Sequence, residues 1–214
     1  MTNVREAQEA VSLKSRGEVV PKVLRTLKFN DAAEFNDYGP LNVVVGDKKG
    51  VFYSTNRRTR VVDERVSENE LHCVSNAGLD TNWSKSQRGK NLFQKASKQE
   101  ASDEVFAKRL MDEVLFDDEA CEAATDTGCD ESFEQLFSYI KVPIVNINDK
   151  PYGTRSATVI LIRHDNTTIF LERHLLKKSD TTYQWAEPIL YTFPSPPPAS
   201  SSDESNPLQK SPPS

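Results

Sequence analysis

Short runs of β-branched and apolar residues fall in two blocks, one on each side of a stretch with helical signals, and this ordering restricts the fold class more than any other property of the chain. In the first block, Leu41 to Gly46 and Val51 to Ser54 flank the turn-forming Asp47-Lys48-Lys49-Gly50, which predicts a hairpin. Val61, Val62 and Val66, followed by Leu71 to Val74, predict two further short strands. In the second block, Thr158 to Arg163 and Thr168 to Glu172 surround the polar His164-Asp165-Asn166-Thr167, and Tyr183 to Phe193 is a third run interrupted by Pro188. Strands gathered in blocks, rather than alternating one by one with helices, predict an α+β fold with mainly antiparallel sheet.

Helical signals stand before and between the blocks. From Gly17 to Leu27 the apolar positions Val20, Val23, Leu24 and Leu27 recur at helical spacing, with Pro21 where a first turn tolerates it. Asn82 is placed to cap a helix beginning at Trp83. Ser102 is placed to cap another whose Phe106, Leu110 and Val114 share a face, with Asp103 and Glu104 at its positive end. The acidic, apolar-poor run from Asp117 to Glu131 reads as a solvated loop. One core fits 214 residues, so the expectation is a single domain over 1–193 and a disordered Pro/Ser-rich tail over 194–214.

Composition narrows the function classes. A net charge of -5 leaves no basic field for phosphate backbones, so nucleic acid is not an expected partner. The longest apolar run, around Val159 to Ile162, is far below the roughly 18 residues that a bilayer span needs, and no transmembrane segment is expected. The opening Met-Thr-Asn-Val-Arg-Glu has neither an apolar nor an Arg-rich leader character, which predicts a cytoplasmic location. Cys73, Cys121 and Cys129 are odd in number and irregularly spaced, and Cys121 and Cys129 share a carboxylate-rich loop with no nearby histidine, so free thiols and no metal site are expected.

Three stretches resemble one family. Thr2-Asn3-Val4-Arg5-Glu6, with Lys14-Ser15-Arg16-Gly17-Glu18, is the first. Leu71 to Trp83 around Ser75-Asn76-Ala77-Gly78-Leu79 is the second. Tyr152-Gly153-Thr154-Arg155-Ser156, with Glu172-Arg173, Trp185 and Tyr191-Thr192-Phe193, is the third. In this order they are similar to the transport and Golgi organisation family, whose members carry an Asn-Arg-Asp-Glu motif. Those members open with Met-Cys and reach the Thr-Asn block only after that motif, so the resemblance implies an N-terminally shortened member.

The resemblance implies an N-terminal-nucleophile-hydrolase-like αββα sandwich lacking its first strands. In that chemistry a terminal Cys, Ser or Thr attacks an amide carbonyl and its own amine acts as base. The family nucleophile is absent, and Thr2 is expected to be a strand residue rather than its substitute. By resemblance, Asn3 and Asn76 stand where amide donors face the pocket, and Arg155 stands where a pocket arginine does. Asn76 also reads as a turn residue bonded to nearby backbone, and Arg155 as an ordinary salt-bridge partner. Gly153 is expected to take a backbone conformation closed to other residues.

The function so implied is non-enzymatic, in Golgi organisation, protein secretion or haem and lipid trafficking, with Golgi or mitochondrial association and a small apolar ligand or haem as the partner. The alternatives are amide hydrolysis by a full-length form and an unstable shortened product. His72 and Cys73 are expected on opposite faces of a strand, His164 beside a turn and His174 at a strand end, none of them placed for haem ligation.

Overall fold

The computed structural model describes residues 2–3, 14–26, 35, 37–47, 50–56, 62–123, 130–147, 149–165, 167–179 and 182–194. The calls on Val61, Leu27, Cys129 and the tail beyond Pro194 lie outside these residues. The chain is mixed α and β with mainly antiparallel sheets, in two compact units, Met1–Glu100 with Arg109–Thr154 and Ala101–Lys108 with Arg155–Ser214.

In the first unit, β1 (Thr2–Asn3), β2 (Leu41–Asp47), β3 (Gly50–Thr55) and β4 (Val62–Val66) form an antiparallel sheet in chain order. The expected hairpin is β2–β3, closed at the Asp47↔Gly50 pair with Gly50 at φ 139°. Thr2 pairs with Asn42 and Asn3 with Leu41, so Thr2 lies in a strand, as expected. A single 3-10 turn, Arg16–Glu18, leads into α1 (Val19–Thr26), and the Ser15 hydroxyl accepts from the Gly17 amide at 3.3 Å.

Val23 of α1 is buried as the spacing indicates, whereas Val20 is not. Val19 and Val23 are buried with Phe35, Tyr38, Leu41 and Val43, while Val20 is exposed. Burial of each such side chain contributes about 1.5–3 kcal/mol, so this cluster fixes α1 on the sheet.

Two corrections concern the segment after β4. Leu71 to Val74 forms no strand, because its polar groups turn to Asp80 instead of a neighbouring strand: the Cys73 amide donates to Asp80 Oδ1 at 2.9 Å and the Asp80 amide to the Cys73 carbonyl at 2.8 Å. The helix after it, α2 (Ser84–Ser97), begins one residue later than expected, with Trp83 rather than Asn82 at its cap position.

α3 (Asp103–Arg109) is capped by Ser102 as expected, with the Ser102 hydroxyl accepting from the Val105 amide at 3.4 Å, and continues as a widened π turn over Leu110–Leu115. Leu110, Met111 and Val114 are buried. The acidic run is not wholly solvated. Asp117 is nearly buried and takes two bonds from Arg88, at 2.7 and 2.6 Å, while Glu119 meets the same guanidinium at 2.8 Å. A short helix, α4 (Glu131–Leu136), precedes a small hairpin of β5 (Val145–Ile147) and β6 (Lys150–Tyr152), which the sequence reading missed.

In the second unit, β7 (Ser156–Ile162), β8 (Thr167–Lys177) and β10 (Ile189–Pro194) form an antiparallel sheet in the order β10-β8-β7, and β9 (Tyr183–Trp185) pairs with the end of β8. Val159, Ile169 and Leu171 are buried. His174 sits inside β8 opposite Ser156 rather than at a strand end, because β8 runs on to Lys177 to pair with β9.

Candidate ligand cavity of the first unit

Successive turns of α2 present Lys85, Gly89 and Phe93 on one side of the helix, spaced by four residues. This side lines a cavity of about 390 Å³ together with the Leu71–Ser75 segment, Val114 and Leu115 of the π turn, and Tyr139 and Ile140. Leu71, Val74, Phe93, Val114, Leu115 and Ile140 make its wall largely apolar, and its size falls in the range of small-molecule sites, about 300–1,000 Å³. The π turn widens the helix where it meets the cavity, with the Phe116 amide reaching back five residues to the Met111 carbonyl at 3.0 Å.

The wall from Leu71 to Asp80 is fastened at both ends. At one end, Asp80 takes the left-handed conformation (φ 54°) and collects the Lys90 ammonium at 2.6 Å, the Cys73 amide at 2.9 Å and His72 Nδ1 at 2.6 Å. His72 Nε2 lies 3.0 Å from the Ser67 carbonyl, so both ring nitrogens have oxygen partners. Burial works against the Asp80 charge, but the bonds from Lys90, Cys73 and His72 together outweigh it and hold the carboxyl below the ordinary carboxylate range.

A carboxyl more acidic in the folded than in the unfolded chain contributes stability above its unfolded value, and that contribution is lost as pH falls through the folded value. Exchange protection of the Cys73 and Asp80 amides is therefore expected to drop as pH falls below about 4, and Asp80→Asn to flatten that dependence. Equal pH dependence in wild type and variant would show that the carboxylate does not hold this wall.

At the other end stands Asn42. It is fully buried in β2, donates from Nδ2 to the Ser75 and Ala77 carbonyls at 3.1 and 2.7 Å, and accepts from the Tyr53 hydroxyl at 2.8 Å. These two carbonyls flank Asn76. The backbone of Asn3 and the loop carrying Asn76 thus converge on adjacent residues of one strand, Leu41 and Asn42. Asn76 is half-buried. Arg155 belongs to the second unit, with an exposed side chain and a carbonyl that accepts from Leu175 at 2.8 Å. The structure therefore joins Asn3 and Asn76 in one unit through Asn42, and does not join Arg155 to them within that unit.

Asn42, Asp80 and Lys90 were missed as site residues. A polar Asn inside Leu-Asn-Val-Val-Val was the available signal, because a buried amide in a strand persists where its bonds are satisfied. Cys73 and Cys121 are free thiols, and burial pushes the Cys121 thiol up. Among the described residues no cluster of three or more His, Cys, Asp or Glu is placed to hold a metal ion, and no helix is long and apolar enough to cross a membrane.

Comparison with known proteins supplies the lineage. The family model for transport and Golgi organisation 2 matches residues 1–177. The transport and Golgi organization 2 homolog of Mus musculus is 28% identical over 200 residues, covering 86% of this chain and 70% of the relative. Its counterpart from Bos taurus is 30% identical over 201 residues with the same coverage. The match runs through the Thr2-Asn3 and Ser75-Asn76-Ala77 blocks and on to the second strand of the second unit, and on these grounds the chain belongs to the transport and Golgi organisation 2 family.

Proposed function

We propose that the chain serves Golgi organisation and protein secretion by binding rather than by catalysis, holding a small apolar molecule in the cavity of the first unit and acting in the cytoplasm with Golgi association. The observation that supports this reading is the apolar wall of that cavity, stiffened by Asn42 at one end and Asp80 at the other. A wall held by buried and charge-assisted hydrogen bonds is pre-organised, so less ordering entropy is lost when a ligand enters. In the same reading the fold is a relative of the N-terminal-nucleophile hydrolases, supported by antiparallel sheets in both units. Haem is the other occupant the family resemblance implies. His72 has both ring nitrogens engaged, Nδ1 with Asp80 and Nε2 with the Ser67 carbonyl, so acting as an axial ligand through Nε2 would first require loss of the Ser67 contact.

Titration of the full chain with a neutral dansyl alkyl amide tests the proposal. One saturable, blue-shifted binding event is expected. Gly89 faces the cavity, and a Cβ built on it lies 3.7 Å from Ile140 Cδ1, in ordinary contact. Gly89→Phe should place its ring in the cavity and weaken binding by about tenfold or more with an unchanged far-ultraviolet circular dichroism spectrum. Unsaturable binding, or equal affinity in the variant, would remove the reading.

A further inference from the structure

Ser86 lies in the first turn of α2, on the side of the helix that brings Gly89, Lys90 and Phe93 to the cavity of the first unit, and it lines that cavity with them. It is only 4% exposed. A helical serine whose hydroxyl is not in water ordinarily turns it back to a carbonyl of the preceding turn, as Ser97 does to Phe93 at 2.8 Å. Ser86 does not: its hydroxyl has no hydrogen-bond partner among the described residues. Buried hydroxyls are bonded in the great majority of cases, because each one left without a partner lowers stability. An orphan donor in the wall of a ligand-sized cavity marks the point where a ligand's polar atom is held.

We propose that the cavity takes an amphiphile of about a dozen non-hydrogen atoms whose single uncharged oxygen, a hydroxyl or a carbonyl, accepts a hydrogen bond from Ser86 Oγ. This rests on the binding role argued above and adds the ligand's size and its polar end. Size follows from volume: at about 30 Å³ for each water-sized group, 390 Å³ holds about thirteen. The absence of charge follows from the lining. A carboxylate against an apolar wall needs a cation to offset its lost hydration. Both lysines of the lining already reach acceptors of the chain, Lys85 the Phe137 carbonyl at 2.8 Å and Lys90 the Asp80 carboxylate at 2.6 Å. An uncharged oxygen needs only a donor, which Ser86 supplies.

Competition of 1-decanol, 1-chlorodecane and decanoate against the dansyl alkyl amide, on the full chain and on its Ser86→Ala variant, tests the proposal. Decanol and chlorodecane share a chain length and differ in the oxygen. The variant should bind decanol about fivefold or more weakly than wild type does, and chlorodecane within about twofold of wild type. Decanoate at neutral pH should bind wild type less tightly than decanol. The variant should melt no lower than wild type, since it removes a buried hydroxyl that the chain leaves unbonded and installs the strongest helix former. A lower melting temperature would show a structural bond to Ser86 and overturn the proposal. So would an unchanged affinity for decanol, an equal loss for decanol and chlorodecane, or tighter binding of decanoate than of decanol, each of which leaves the binding role of the cavity standing. A probe that does not saturate on wild type removes that binding role, and this inference with it.

Discussion

Replacement of Asn56 by Ala should destabilise the first unit by about 3–5 kcal/mol, lowering its melting temperature by about 10 °C. Asn56 is buried just after β3 and its side chain clamps the backbone between Phe35 and Leu41. Its Nδ2 donates to the Phe35 and Tyr38 carbonyls at 2.9 and 3.0 Å, and its Oδ1 accepts from the Leu41 amide at 2.8 Å. Truncation leaves these groups buried and without that partner, each at a cost of about 1–3 kcal/mol. The same groups belong to the segment that closes the Val19, Val23, Leu41 and Val43 cluster, so α1 should loosen along with the clamp. Asn56→Asp keeps the acceptor for Leu41 but aims a carboxylate oxygen at two carbonyls, and should not rescue the loss. Thermal unfolding by circular dichroism distinguishes the cases. An Asp variant as stable as wild type would show that the two carbonyl contacts carry no weight.

The second large effect is expected from Gly153→Ala, again about 3–5 kcal/mol. Gly153 has φ 157°, in the region that disfavours side chains, and a Cβ there would stand 2.6 Å from both the Pro143 carbonyl oxygen and Ile144 Cδ1 and 3.0 Å from Ile144 Cα. The opposing backbone has little room to yield. The Val142 amide donates to the Thr154 hydroxyl at 2.9 Å and the Thr154 amide to the Val142 carbonyl at 3.0 Å, which hold the two segments together directly beside the clash. Gly50 offers the contrast. A Cβ there would meet the Arg65 guanidinium, the mobile end of an exposed side chain, so Gly50→Ala should cost less despite its φ of 139°. Denaturant unfolding of both variants measures the difference, and equal costs would show that backbone conformation rather than the close approach dominates.

Gly153 was legible from its place in a Tyr-Gly-Thr turn, and so was the β2–β3 hairpin, because Asp47 to Gly50 interrupts two β-branched runs at a spacing that only a hairpin satisfies. The antiparallel pairing of β7 with β8 was legible for the same reason, polar residues between two alternating runs, whereas the single third run expected over Tyr183 to Phe193 is divided into β9 and β10 around Pro188. Leu71 to Val74 misled because strand propensity records fit to a pleated surface, whereas here the backbone groups of Cys73 find a partner seven residues away in Asp80. The β5–β6 hairpin escaped notice because each strand has three residues and one contains Pro151.

At the candidate site the family resemblance picked out Asn76, while the residue that fixes that loop, Asn42, lay unremarked in a strand. Spacing along the chain does not record a hydrogen bond to residues 33 and 35 positions away.

Methyl resonances of the full chain, followed while a small apolar ligand such as the dansyl alkyl amide is added, test the binding role most directly. Saturable shifts confined to Leu71, Val74, Val114, Leu115 and Ile140, with Val159, Ile169 and Leu171 of the second unit unmoved, are the expected result. Shifts that never saturate, or that leave the cavity methyls unchanged while others move, would contradict it.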